Sequence, residues 1–402
     1  MKHVTYTSIE GDSLGYWALL AIFGAIMGLA GIAFYMMEHH GHYISGMNNQ
    51  IVWGTPHVFA VFLIVAASGA LNVASIASVF GKPMYKPLSR LSALLALTLL
   101  AGGLAVLVLD LGRPDRLIVA MTNYNFKSIF AWNIILYNGF FVIVAIYLWT
   151  MMERRMNKHS HKAGVSAFIW RLILTTGTGS IFGFLVARQG YDAAIMAPMF
   201  IIMSFSYGLA IFMLVLMAAY GWTGRQLGDA VFHRLKNLLG VFVAAVLYFL
   251  LAYHLTNLYA TEHHGVEAFI LMNGGIYTQI FWLGAVVIGG LIPLAIFYSP
   301  MGKNRTLVAL GAILVVLGGL ALMYTIIIGG QAYPLILFPG KEITSSFYDG
   351  VINSYTPSIY EIGLGIGGIA LALAAVTFAI KIMPFLPASL ADSDVDPHHK
   401  TA

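Results

Sequence analysis

Long apolar runs separated by short polar connections set the pattern of this chain. Ten runs reach the roughly 20 residues a helix needs to cross a bilayer: 14–37, 57–80, 89–111, 129–152, 168–188, 194–221, 236–258, 277–299, 306–329 and 362–384. The expected fold is an all-α integral membrane protein of about ten transmembrane helices. Helices 2–5 and 6–9 are expected to form two four-helix bundles, with a flanking helix at each end. The whole chain reads as one polytopic domain: an extra first helix at 14–37, a core over 53–329, a connection rich in Pro, Tyr and Ser over 330–361, a last helix at 362–384 and a polar, mobile tail at 385–402. Pro293 predicts a kink in helix 8.

Composition agrees with that pattern and narrows the chemistry. Hydrophobic residues make up 59% of the chain and charged residues 9%, far from a soluble domain. The net charge of +5 is no nucleic-acid signal, because the basic residues sit in short loops between apolar runs. With the N-terminus inside, sixteen of the 21 lysines and arginines fall on the cytoplasmic side, which places both termini in the cytoplasm. Arg171 is among those sixteen, as a residue near the start of helix 5. The absence of cysteine excludes disulfides, thiolate zinc and iron–sulfur clusters held by this chain's own cysteines.

The stretch from Leu104 to Asn133 carries the strongest chemical signal. An apolar helix climbs to Asp110 and breaks at Gly112-Arg113-Pro114. Gly112 can adopt the left-handed conformation that ends a helix, and Pro114 pushes Arg113 toward extended backbone. A carboxylate at a helix C-terminus works against the macrodipole, and ionisable groups at the edge of a membrane helix are functional candidates. Asp110 and Arg113 are expected to lie close together. Other polar residues gather at the same ends of the helices: Glu38, His39, His57, Arg188, Asp192, His254 and His263. A quinone site needs an apolar slot, donors to two carbonyls and groups that titrate near neutral pH. His57 and Asp110 suit the proton work, Arg113 could stabilise an anionic form, and Trp132 could stack on the ring.

The string DLGRPDR, followed by a short loop and then by Asn125, Ser128 and Trp132, resembles the NrfD/PsrC family of membrane subunits of quinone-linked oxidoreductases. So does the opening Trp53-Gly54-Thr55-Pro56-His57. The outer HHGH loop and the string WGTPHVFAVFLIVAASGALN look most like the DsrP branch of sulfur metabolism. The resemblance implies a quinone or menaquinone site near the outer face of a bacterial or archaeal cytoplasmic membrane. The residues matching the family's motifs are Trp53, His57, Asp110, Arg113, Tyr124, Asn125, Ser128 and Trp132, with Ser128-Ile129 where the family often has Ser-Pro. His57, Asp110 and Arg113 would carry the chemistry, and Glu38, Arg188, Asp192 and His254 would exchange protons. The implied partners are an iron–sulfur ferredoxin-like subunit, a multihaem cytochrome c and other membrane and cytoplasmic subunits. No haem and no iron–sulfur cluster is expected in this chain itself.

Two other readings compete. A secondary transporter would use Asp110, Arg113 and the hydroxyls of TTGTGS at 175–180, although such sites usually lie near the bilayer centre. A b-type cytochrome would use His57 and His254 as axial ligands. The 175–180 string reads more simply as close helix packing, its hydroxyls bonded back to their own helix. Loop histidines His39, His40, His42, His263 and His264 read as solvated. If the two four-helix units are related, Asp110 and His254 occupy matching places at the outer ends of helices 3 and 7.

Overall fold

The computed structural model describes residues 4–335 and 350–396. Among the described residues, ten helices long and apolar enough to cross a membrane run in sequence: α1 Leu14–His40, α2 Thr55–Ser78, α3 Pro83–Leu109, α4 Ile129–Met152, α5 Asn157–Gly183, α6 Met196–Trp222, α7 Asp229–Tyr259, α8 Ile276–Tyr298, α9 Arg305–Ala332 and α10 Ile359–Ile382. Part of the 330–361 connection lies outside the described residues.

Burial decides which helix is central. The most apolar stretch of α2 is 83% buried and that of α1 only 11%. Helix α2 packs on α3, α6, α9 and α10, whereas α1 lies mainly against α10. Within α2–α5 the touching pairs are α2–α3, α3–α4, α4–α5 and α2–α5; within α6–α9 they are α6–α7, α7–α8, α8–α9 and α6–α9. The α2–α6 crossing is made by glycine. A Cβ added at Gly69 would run into the Ser204 carbonyl, and one at Gly208 into the Gly69 backbone, the close approach that small residues permit between membrane helices.

Irregular turns mark several helices. Helix α2 breaks at Leu71, and Ser92 repairs the break: its hydroxyl donates to the Ala70 carbonyl at 2.6 Å and accepts from the Ala74 amide at 3.1 Å. In α8 a π-helical stretch, Ile280–Leu291, leads into Pro293. Proline lacks the amide an α-helix would use, and the wider turns before it accommodate that loss.

Three expectations change. Helix α5 begins at Asn157, because the polar start of its sequence continues the helix instead of ending it. Arg171 therefore lies in mid-helix, 2% exposed. Its guanidinium donates to Asn72 Oδ1 at 2.5 Å and stands 5.0 Å over the Phe205 ring. It is no part of a basic cytoplasmic flank. The beginning of the tail is ordered rather than mobile: a short strand β2 (Leu386–Pro387) pairs antiparallel with β1 (Tyr6–Thr7), and Leu390 and Val395 are buried. The loop after Arg113 contains a short exposed helix, Leu117–Thr122. The packing reading of 175–180 holds, as Thr175 and Thr178 donate back to Arg171 and Leu174 carbonyls at 2.7 and 3.0 Å.

Candidate functional site

Helix α3 ends where the sequence puts its break. Asp110 is the C-cap, and Gly112 takes φ +70° to reverse the chain. A side chain at Gly112 would also meet the His42 ring at 3.0 Å, so glycine serves both the turn and the approach of a neighbour. Asp110 is 6% exposed. Its Oδ2 is 2.9 Å from His57 Nδ1 in the first turn of α2, and its Oδ1 is 3.7 Å from His42 Nε2. The second distance is too long for a direct hydrogen bond. Both atoms across that gap, Asp110 Oδ1 and His42 Nε2, are buried without a hydrogen-bond partner. Contact with the Asp110 carboxylate pushes the His42 imidazole up from its ordinary range, against the smaller opposite effect of partial burial.

Trp53 stands beside this pair. Its ring stacks on His57 at 6.0 Å and on Tyr191 at 6.3 Å, and Phe130 and Phe182 meet it edge-on. The backbone under Trp53 is held from the far end of α9. Gln331 Oε1 accepts from the Val52 and Trp53 amides, both at 3.0 Å, while its Nε2 donates to the Trp53 carbonyl at 2.9 Å. Arg188 ties the same corner by donating to the Gln50 carbonyl at 2.9 Å and the Gln331 carbonyl at 3.2 Å. From α10, buried Glu361 accepts from the Gly46 amide at 2.7 Å and from Tyr355 OH at 2.5 Å. Tyr355 OH in turn accepts from the Thr55 amide at 2.7 Å. Elements from both halves of the chain and from its last helix thus converge on the segment entering α2.

Of the residues singled out from sequence, His57, Asp110 and Trp53 come together, and Arg188 reaches the same corner through Gln50. Arg113 does not join them. Its guanidinium binds Asp115 Oδ1 at 3.1 Å and is well exposed, so the expected Asp110–Arg113 pair is absent. The physical reason is local: Arg113 at φ −142° and ψ 65° precedes the turn opened by Pro114, which carries Asp115 back under it. A transport site built on that pair loses its basis. Tyr124, Asn125, Ser128 and Trp132 line the exposed entry to α4. Trp132 Nε1 donates to the Phe126 carbonyl at 3.0 Å, Asn125 Oδ1 accepts from the Lys127 amide at 3.1 Å, and Tyr124 lies against Phe126. Ser128 is the N-cap of α4. Glu38 is exposed and Asp192 half-buried. His254 belongs to a separate cluster, 2.7 Å from Glu267, and its ring packs edge-on against Phe281 at 4.8 Å.

His42, Gln331, Tyr355, Glu361 and Glu267 were not singled out by sequence reasoning. His42 was read as solvated with the other loop histidines. The one signal for its inward turn is Gly41, whose φ of +85° bends the chain back at the end of α1.

Comparison with known proteins gives the setting. The family described as "Polysulphide reductase, NrfD" matches residues 44–334. The Hdr-like menaquinol oxidoreductase integral membrane subunit of Archaeoglobus fulgidus is 30% identical over 96% of this chain and 97% of its own length. A selenate reductase subunit of Mesobacillus selenatarsenatis is 23% identical over 92% of this chain and 93% of its own. One of the polysulfide reductase polypeptides of Wolinella succinogenes is 24% identical over 71% of this chain and 96% of its own. With ten membrane-length helices and a family match across most of its length, this chain belongs to the NrfD family of oxidoreductase membrane subunits.

Proposed function

We propose that this chain is the quinol-reactive membrane subunit of a redox complex, and that Trp53, His57, Asp110 and His42 form the reacting corner. The observation that carries the reading is buried Asp110 held between two imidazoles, beside a stacked tryptophan. Oxidation of a quinol releases two electrons and two protons, so its site needs a base at each hydroxyl to be deprotonated and an apolar slot for the ring. With Asp110 ionised, His57 Nδ1–H donates to Oδ2, which leaves Nε2 as the basic nitrogen. The carboxylate fixes the tautomer and steadies the imidazolium formed when His57 takes a proton. His42, held toward its protonated form, balances the charge on Asp110 and can return a proton when the reaction runs toward quinol. The unpartnered Asp110 Oδ1 and His42 Nε2 face each other across 3.7 Å, so a small closure of that gap pairs them directly. Phe130, edge-on to Trp53 and partly exposed, offers an apolar surface for a flat ring.

The finer assignments belong to the same proposal. Menaquinol is the substrate that the name of the Archaeoglobus relative suggests. The site end of the bundle faces outward, with both termini in the cytoplasm, on the charge bias of the loops. An iron–sulfur subunit takes up or supplies the electrons, within a DsrP-type complex of sulfur metabolism that also holds a multihaem cytochrome c. Tyr124, Asn125, Ser128 and Trp132 form the mouth toward that partner, with Arg113 outside it on the exposed surface, paired to Asp115. The reading places the 53–329 core as the catalytic unit and α1 and α10 as supports. Asp110→Asn in the intact complex tests it. Assembly should persist and quinol oxidation should fall by about a hundredfold or more, the usual weight of positioned acid–base catalysis. Normal turnover in that variant refutes the site.

A further inference from the structure

A second imidazole–carboxylate pair lies away from the reacting corner. His254, in the last turns of α7, places Nδ1 2.7 Å from Glu267 Oε2, and Asn257 Nδ2 donates to the other oxygen, Oε1, at 2.9 Å. Glu267 is 1% exposed and His254 8%. A cavity of about 30 Å³ opens beside them. That is room for two or three waters, at the ~10–15 Å³ one water requires, and far too small for a quinone ring. Gly190, Met199, Phe281, Thr325 and Gly330 bring the neighbouring elements' share of the lining. Among the described lining residues Tyr253 is the one further titratable group, and its hydroxyl donates to the Gly190 carbonyl at 3.0 Å. On the connection carrying Glu267, His263 is buried while Glu262 and His264 are exposed. Among the described residues no lysine or arginine lines the cavity.

Charge balance then dictates what the pair can do. An ionised Glu267 beside a neutral His254 leaves one uncompensated negative charge in a low-dielectric setting, which is costly. Asn257 donates to the carboxylate but brings no charge to offset it. One added proton turns the pair into an imidazolium–carboxylate contact with no net charge. Asp110 differs, because two imidazoles share its charge.

We propose that His254 and Glu267 form a second protonation site, which takes one proton from cavity water and returns it there. The transfer is a simple exchange: a hydrated proton taken up from solution gives up one O–H bond, an N–H on His254 forms, and a neutral water is left behind. The site's use during turnover rests on the quinol-reactive reading, whereas its proton binding does not.

Infrared difference spectra of the intact complex, recorded while pH is stepped between acid and alkaline values, test the site without quinol. The wild-type complex should show imidazole bands for one histidine, coupled to a perturbed carboxylate, that vanish in Glu267→Gln and in His254→Gln. Both sets of bands should survive in Asp110→Asn, which disables the other site, so the two readings fail separately. Glu267→Asp serves if Glu267→Gln does not assemble, and it should shift the coupled bands rather than remove them. Spectra of His254→Gln identical to wild type, or an aspartate variant with unshifted bands, would make the pair a fixed strut and overturn the proposal.

Discussion

Gln331 offers the sharpest test of how the reacting corner is held. Its side chain is 1% exposed and makes three hydrogen bonds to residues 52 and 53, at 2.9–3.0 Å, plus one to the Ile327 carbonyl at 2.8 Å. Gln331→Leu keeps the bulk and removes all four. Val52 is half exposed, so water can replace its lost partner, but the Trp53 amide and carbonyl lose theirs in a partly buried setting. At about 1–3 kcal/mol for each of these two groups left unpaired, the segment loses about 2–6 kcal/mol of restraint on its geometry. If that restraint fixes the pose of Trp53 against a quinol ring, the affinity for a quinone analogue falls by about thirtyfold or more, since every 1.4 kcal/mol is tenfold. Titration of the analogue into detergent-solubilised complex, followed by tryptophan fluorescence, reads this directly. Steady-state kinetics should show KM rising more than kcat falls, because Gln331 touches neither base. Gln331→Glu keeps the two acceptor contacts and loses the donor, so it should fall between leucine and wild type. Binding within twofold of wild type in Gln331→Leu would show that the corner is set by packing alone and would refute the reasoning.

Other perturbations have equally definite outcomes. Because contact with Asp110 raises the pKa of His42, its attraction to the carboxylate is fully present below the ordinary histidine value of about 6.5 and is lost as pH rises through the raised one. Heat stability of the complex should therefore decline across that window, and His42→Gln should flatten the decline. Arg113→Ala should leave quinol turnover in isolated membranes nearly unchanged, since its partner Asp115 is as exposed as it is; a loss comparable to that of Asp110→Asn would return Arg113 to the chemistry. Gly69→Ala should reduce the amount of assembled protein recovered from membranes, because the α2–α6 crossing leaves its Cβ no space before the Ser204 carbonyl. Full recovery would mean the two helices can separate at little cost.

Sequence made the helices legible because membrane length and apolar composition leave few alternatives, and the break at Asp110 legible because glycine and proline act locally. The boundaries failed where polarity and helicity part company, as in the first turns of α5, which are polar and still helical. That error also moved Arg171 from a buried mid-helix position to a basic flank. The pairing of Asp110 was misassigned for a different reason. Spacing along a chain shows which residues are near in sequence, and Arg113 is near Asp110, but the turn at Gly112 carries the two side chains apart. The partners that do reach Asp110 come from 53 and 68 residues away. Gln331, Tyr355 and Glu361 were illegible on the same ground. Their roles consist of hydrogen bonds to backbone some 280–315 residues distant, and backbone partners leave no mark in sequence.

The supports of the reacting corner have a functional consequence. Trp53 and His57 sit on a segment whose carbonyls and amides are taken by α9 through Gln331, by the α5–α6 connection through Arg188, and by α10 and the residues leading into it through Glu361 and Tyr355. Each contact is polar, short and directional, so a shift in one support is felt as a changed backbone angle at Trp53 rather than absorbed as soft apolar repacking. A partner subunit that pressed on the site end of α9 or α10 could therefore alter the pose of the ring-stacking tryptophan without touching it. Apolar walls alone would have held the same shape, but would not have tied it to three separate parts of the fold.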